Sequence, residues 1–146
     1  MKKRIDIYEV TPEAYKPLID LEKHIAKSGL EKTLYHLIKV RASQINACHY
    51  CINMHTRDAL KMGETTQRLF LLDAWWEAPE LYSEKEQAAL KLTEEITLIA
   101  NAGVSDKVYE EAEKHFSEKQ LSAVIMAIIA INAWNRLAIT TKKPLD

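Results

Sequence analysis

Three observations predict an all-α domain. Apolar residues recur at helical spacing along most of the chain, two capping boxes punctuate its second half, and no hairpin signal or βαβ alternation appears. Only 3 Gly and 4 Pro interrupt 146 residues, so few points exist at which a helix must end. A chain of this length predicts a single domain, residues 1–146, able to bury a substantial core.

The elements follow in order. Ile5 and Ile7 alternate with Asp6, which predicts a short extended arm over Arg4 to Val10. Thr11-Pro12-Glu13 is a helix start, a hydroxyl followed by Pro at the first helical position. Pro17 lies too deep for a clean start there, which moves the expected beginning toward Lys16, and Gly29 ends the helix. From Glu31 to Ala47, the residues Leu34, Leu37, Ile38, Arg41 and Ile45 share one face of an amphipathic helix. Asn46 is the expected N-cap of the next helix, which runs from about Cys48 to Met62 and stops at Gly63.

Thr65 or Thr66 starts a further helix with Leu69, Leu72 and Trp76 inward, limited by Pro79. The capping box Ser83-Glu84-Lys85-Glu86 precedes Ala89, Leu92, Ile96 and Ile99 at helical spacing up to Gly103. Ser105 opens a short helix carrying Val108, Tyr109, Ala112 and Phe116. A second box, Ser117-Glu118-Lys119-Gln120, opens the last helix, expected to reach Thr140. Between Leu121 and Ala133 that helix is apolar almost all round, which predicts a helix both central to the fold and buried between subunits of an oligomer.

Composition excludes several function classes. Twenty basic residues face 21 acidic ones with no block of one sign, and the patch Met1-Lys2-Lys3-Arg4 is too small for a nucleic-acid or lipid footprint. The longest apolar run, Ala123 to Ile131, falls short of the ~20 residues that span a bilayer, and no apolar signal core opens the chain. The expectation is a soluble cytoplasmic protein with neither nucleic-acid nor membrane partners.

The chemistry concentrates in Ser43-Gln44-Ile45-Asn46-Ala47-Cys48-His49-Tyr50-Cys51-Ile52-Asn53-Met54-His55, which holds both cysteines of the chain. On a helix, i/i+3 and i/i+4 spacing places Cys48, Cys51 and His55 along one face. Two cysteines are too few for a secreted disulfide scaffold, and CxxC in such a chain reads as redox or metal chemistry. Three features favour a thiolate and a reversible disulfide: the positive end of the helix, an imidazole one turn below Cys51, and sulfurs at a spacing a disulfide accepts. The helix terminus favours Cys48 as nucleophile and the histidine favours Cys51, so the spacing leaves the choice open.

Two alternatives stand beside the redox reading. Zinc would take Cys48, Cys51 and His55 with His49, His36 or His24 as a fourth ligand, but no second CxxC or HxxxH supplies the usual partner segment. The plainer alternative is two small buried hydrophobes. His24 and His115 sit among charged neighbours and read as solvated, while Trp75, Trp76 and Trp134 read as core or interface residues. Asn132, Asn135 and Arg136 interrupt the apolar last helix and read as structural, with Glu77, Glu94 or Glu95 as partners for a buried Arg136.

The run Arg41-Ala42-Ser43-Gln44-Ile45-Asn46-Ala47-Cys48-x-x-Cys51-x-x-x-His55-Thr56, with Asn132-Ala133-Trp134-Asn135-Arg136-Leu137 later, resembles the AhpD-like alkylhydroperoxidase branch of the carboxymuconolactone decarboxylase family. The similarity extends over nearly the whole chain, starting at Arg4-Ile5-Asp6. It implies an all-α domain of about six to seven helices that assembles as a trimer or hexamer. It also implies that Cys51 attacks the peroxide, that Cys48 resolves the sulfenic acid, and that His55 belongs to a proton relay. Two positions depart from the family pattern: His36 stands where the family has a glutamate, and Tyr50 stands where AhpD has a histidine, with His49 one step earlier. His36 can still relay a proton. His49 and Tyr50 are secondary candidates.

The expected activity is thiol-dependent hydroperoxide reduction through a Cys48–Cys51 dithiol–disulfide cycle. It needs a hydroperoxide and an external dithiol donor, protein or small molecule, with no bound cofactor and no metal. The rivals are a protein disulfide reductase or electron relay with little peroxidase activity, and a non-catalytic oligomeric or zinc-binding protein. The decarboxylase side of the family generally lacks the CxxC, so lactone decarboxylation is not expected.

Overall fold

The computed structural model describes residues 4–145, and every regular element among them is helical. The helices are α1 (Ile7–Val10), α2 (Pro12–Ala26), α3 (Lys32–Ile45), α4 (His49–Lys61) and α5 (Thr66–Phe70). Two 3-10 stretches follow, Leu72–Glu77 and Pro79–Leu81, and then α6 (Glu84–Thr97), α7 (Ile99–Ala102), α8 (Asp106–His115) and α9 (Glu118–Thr141). Met1, Lys2 and Lys3 of the basic patch lie outside the described residues.

Helix α3 is the spine. It packs against α4, α6 and α9 and supplies side chains to each cluster of the core. Leu34 and Ile38 join Ile25, Leu92, Val124 and Ile128. Leu37 and Val40 turn to the other side, against Leu69, Leu72, Trp75 and Leu90. Ala42 meets Cys48, Cys51 and Ile131. Helix α3 therefore buries more than one face, including His36, Lys39 and Ser43, although its sequence reads as simply amphipathic.

Several expectations need correction. The arm forms a helical turn, α1, because the Asp6 carboxylate accepts hydrogen bonds from the Tyr8 and Glu9 backbone N–H groups. Helix α2 begins at Pro12, with Pro17 accommodated inside it. Pro17 and Glu13, whose carbonyl loses its helical partner to the proline, are both exposed. Trp75, not Trp76, turns inward, because the 3-10 stretch rotates the register of a regular helix. Leu98 leaves helical geometry between α6 and α7, so Ile99 is exposed and does not continue the apolar stripe.

Both capping boxes form, at Ser83/Glu86 and Ser117/Gln120. Helix α9, at 24 residues, is long and apolar enough to cross a bilayer, so the short run from Ala123 to Ile131 understates it. It packs against α2, α3, α6 and α8 and buries two hydrogen-bonded asparagines, as a core helix does. Arg136 on α9 is exposed and donates to the carbonyl and side chain of Asn132, with no carboxylate partner among the described residues. Glu94, expected near it, instead accepts from Arg41 Nε at 2.9 Å and Trp75 Nε1 at 2.8 Å.

Candidate active site

The turn between α3 and α4 sets the geometry of the dithiol. Ala47 adopts a left-handed conformation (φ 54°), which costs a residue with a side chain roughly 1–2 kcal/mol. The reversal is fixed by the Cys48 N–H donating to the Ser43 carbonyl at 2.9 Å. Cys48, not Asn46, is the N-cap of α4, which puts Cys51 at its third position. Asn46 caps the end of α3 instead, and its side-chain amide donates to Asn132 Oδ1 at 3.0 Å and Asn135 Oδ1 at 2.9 Å. Asn135 in turn donates to Ser43 Oγ at 3.0 Å, and Ser43 Oγ donates to the Lys39 carbonyl at 2.7 Å. A chain of amides thus pins the end of α9 to the cysteine-bearing turn.

Both cysteines are free thiols, 1% and 2% exposed, packed together in one buried cluster. Only Cys51 lines the adjacent cavity of about 310 Å³. Cys48 packs behind it against Ala42, Ile131 and Ala138. His55 shares the cavity wall with Cys51.

The electrostatics differ from what the sequence suggests. Burial pushes the Cys51 thiol up to about 12, with the contact to Cys48 adding to the rise. An Asn135 hydrogen bond and the Lys39 charge act against it. The helix terminus and the histidine therefore do not make Cys51 anionic in the resting dithiol. Burial likewise drives His55 down to about 3, helped by Lys39 and His36, so its ring is neutral. A neutral imidazole can pass a proton on but cannot act as a counter-ion for a thiolate.

The remaining candidates divide. The His36 ring is buried 6.1 Å from that of His55 but does not line the cavity, and burial lowers its pKa. Nδ1 of His36 and Nδ1 of His55 have no hydrogen-bond partner among the described residues. Tyr50 lines the cavity, with Lys143 5.0 Å from its ring centroid, whereas His49 is exposed and outside it. His24 is exposed, and His115 contacts Glu111. Among the described residues, no group of three His, Cys, Asp or Glu side chains gathers closely enough to hold a metal ion.

The cavity also holds a polar cluster that the sequence reading missed. Glu22 of α2 accepts from Lys39 Nζ at 2.6 Å, Trp134 Nε1 at 3.1 Å and the Tyr35 hydroxyl. Lys39 is 2% exposed, and its ammonium lies 4.4 Å from the Tyr35 ring centroid. Glu22, Tyr35, Lys39 and Trp134 all line the cavity that Cys51 enters. A signal for the pair exists in the sequence: Lys39 interrupts the apolar run Leu37-Ile38-Lys39-Val40, and Glu22 sits between Ile19 and Ile25 on the inner stripe of α2.

Comparison with known proteins gives three findings. The sequence pattern of the carboxymuconolactone decarboxylase family matches residues 12–95. The uncharacterized protein YdfG of Bacillus subtilis (strain 168) is 45% identical over 139 residues, covering 95% of this chain and 94% of that one. A protein of unknown function from Agrobacterium tumefaciens, named as a candidate antioxidant defence protein AhpD, has a crystal structure that superposes with a TM-score of 0.94. It is 38% identical and 99% of each chain is covered. An uncharacterized peroxidase-related protein from Silicibacter sp. TM1040 shares the fold at a TM-score of 0.83 and 20% identity, with 95% of this chain and 73% of that chain covered.

Proposed function

The chain belongs to the carboxymuconolactone decarboxylase family, in its AhpD-like branch, and from that premise we propose that it is a thiol-dependent hydroperoxide reductase with an antioxidant role. The observation that carries the reading is the asymmetry of the dithiol. Cys51 faces a cavity with His55 beside it, while Cys48 lies behind in the same buried cluster.

In the proposed cycle the Cys51 sulfur attacks one oxygen of the hydroperoxide. The S–O bond forms, the O–O bond breaks, and the alcohol leaves with the proton that the thiol has lost, passed through His55. The sulfenic acid on Cys51 then condenses with the Cys48 thiol, forming the disulfide and releasing water. An external dithiol returns two electrons and two protons by exchange. His36, next to His55 but off the cavity wall, serves the relay only through that ring. The same reading makes the protein a cytoplasmic homotrimer or homohexamer.

The burial of Cys51 favours a small peroxide over a protein disulfide, which would have to reach a sulfur only 2% exposed. Thiol titration of the reduced protein tests the proposal: one equivalent of an organic hydroperoxide should remove both thiols. The Cys51→Ser protein should consume no peroxide. Peroxide turnover at the full rate in that variant would exclude Cys51 as nucleophile.

A further inference from the structure

A thiol pushed up to about 12 is almost wholly protonated at neutral pH and reacts slowly unless something nearby stabilises its anion. His55, held neutral, supplies no charge. The charged and titratable groups around Cys51 come from every element of the cavity. Cys48, Tyr50 and His55 belong to the α4 segment, Tyr35, His36 and Lys39 to α3, Tyr15 and Glu22 to α2, and Lys143 follows α9. Among them Lys39 is the buried cation, and its charge and that of Cys51 act on each other.

Its position is built rather than incidental. A buried ammonium persists only if paired. Glu22 pairs with Lys39 at 2.6 Å while two further donors, Tyr35 and Trp134, hold the carboxylate in place. Of the three N–H donors of the ammonium, one goes to Glu22 and the charge also rests over the Tyr35 ring, which leaves donor capacity toward the cavity.

We infer that Lys39, positioned by Glu22, is the cation that stabilises the Cys51 thiolate, in place of the histidine suggested by the motif. Glu22 is the positioning residue: it holds the Lys39 ammonium in place and keeps it charged against the lowering effect of burial. The inference rests on Cys51 being the reactive thiol, and it applies whichever oxidant that thiol meets.

Iodoacetamide alkylation of the full-length reduced protein tests it, with the modified cysteine located by peptide mass and the rate followed between pH 8 and 10. Lys39→Met should slow Cys51 alkylation about tenfold at pH 8, equivalent to one unit of pKa, and by less toward pH 10, because burial lowers the pKa of Lys39 and the parent loses the charge there. Lys39→Arg should restore the rate to within about threefold, because it keeps the charge. Glu22→Gln should also slow the alkylation, because the ammonium left without its carboxylate gives up its charge more readily.

A structural role would move none of these rates in a charge-dependent order. Rates within about twofold of the parent at pH 8 in a folded Lys39→Met protein would overturn the inference. So would alkylation of a folded Glu22→Gln protein at the parent rate or faster, which decides the matter alone if Lys39→Met fails to fold. Modification at Cys48 in preference to Cys51 would overturn it together with the proposed cycle. The expected order of rates in a protein that consumes no peroxide would support Lys39 and count against the peroxidase reading alone.

Discussion

At the scale of single residues, the dithiol is a case in which burial outweighs motif. The positive end of α4 and an imidazole one turn away are present as the spacing implies, yet desolvation dominates both Cys51 and His55. His55 carries a consequence for stability. Its folded pKa, about 3, lies below its ordinary 6.5, so the folded state favours the neutral ring. The stabilisation that this neutrality protects is fully present above pH 6.5 and is lost as pH falls toward 3, because the unfolded state binds the proton first. Unfolding free energies from urea titrations between pH 7 and pH 4 should therefore fall with a slope approaching about 1.4 kcal/mol per pH unit from this group. His55→Gln should flatten that limb. An unchanged acid limb in the variant would show that His55 is charged or exposed in the folded protein.

At the scale of elements, helix ends decide how much each sequence signal is worth. Ser83 and Ser117 accept from the backbone three residues on and are answered by Glu86 and Gln120. Thr11 stands before a helix that starts with Pro, and its side chain makes no capping hydrogen bond. Ser83→Ala should then cost about 1 kcal/mol, whereas Thr11→Ala should change stability by less than about 0.5 kcal/mol. Equilibrium denaturation of the two variants distinguishes them, and equal losses would contradict the capping geometry.

Glu86 also belongs to a second structure, the clamp in which Arg68 bridges Glu64 and Glu86 and donates to the Leu81 carbonyl. Burial works to lower the guanidinium's pKa, and the two carboxylates together outweigh it and hold the group above its ordinary range. The clamp ties the α5 region to the start of α6 across the loop carrying Trp75.

At the scale of the whole molecule, the unresolved business is the outer face of α9. Ile129 and Ile139 are 45% and 43% exposed on a helix whose other side is fully packed. Phe70 and Trp76 are also exposed, at 79% and 51%. Apolar side chains of this size gain by leaving water, and a second copy of the chain is the occupant that the proposed homo-oligomer requires. Light scattering should give three or six times the chain mass for the parent protein. Ile129→Glu should reduce it, since a charge buried at a contact without a partner is costly. A monomeric parent, or an assembly indifferent to Ile129→Glu, would remove α9 from the interface.

The amino-acid order alone sufficed for the helical class, most helix starts, the stops near Gly29 and Gly63, and the closeness of the two cysteines at the start of one helix. Those features depend on local periodicity, capping and backbone freedom, each contained within a few residues. Its misjudgements fall where distant segments meet. Trp75 replaces Trp76 in the core, Glu94 serves Arg41 instead of Arg136, and Asn46 reaches across to α9 instead of capping α4. The electrostatics of the site came from the packing, because desolvation and charge depend on what surrounds a side chain, not on what precedes it. Lys39 and Glu22 lie 17 positions apart in sequence and 2.6 Å apart in space, and no periodicity within either helix announces that the two charges meet beside a thiol.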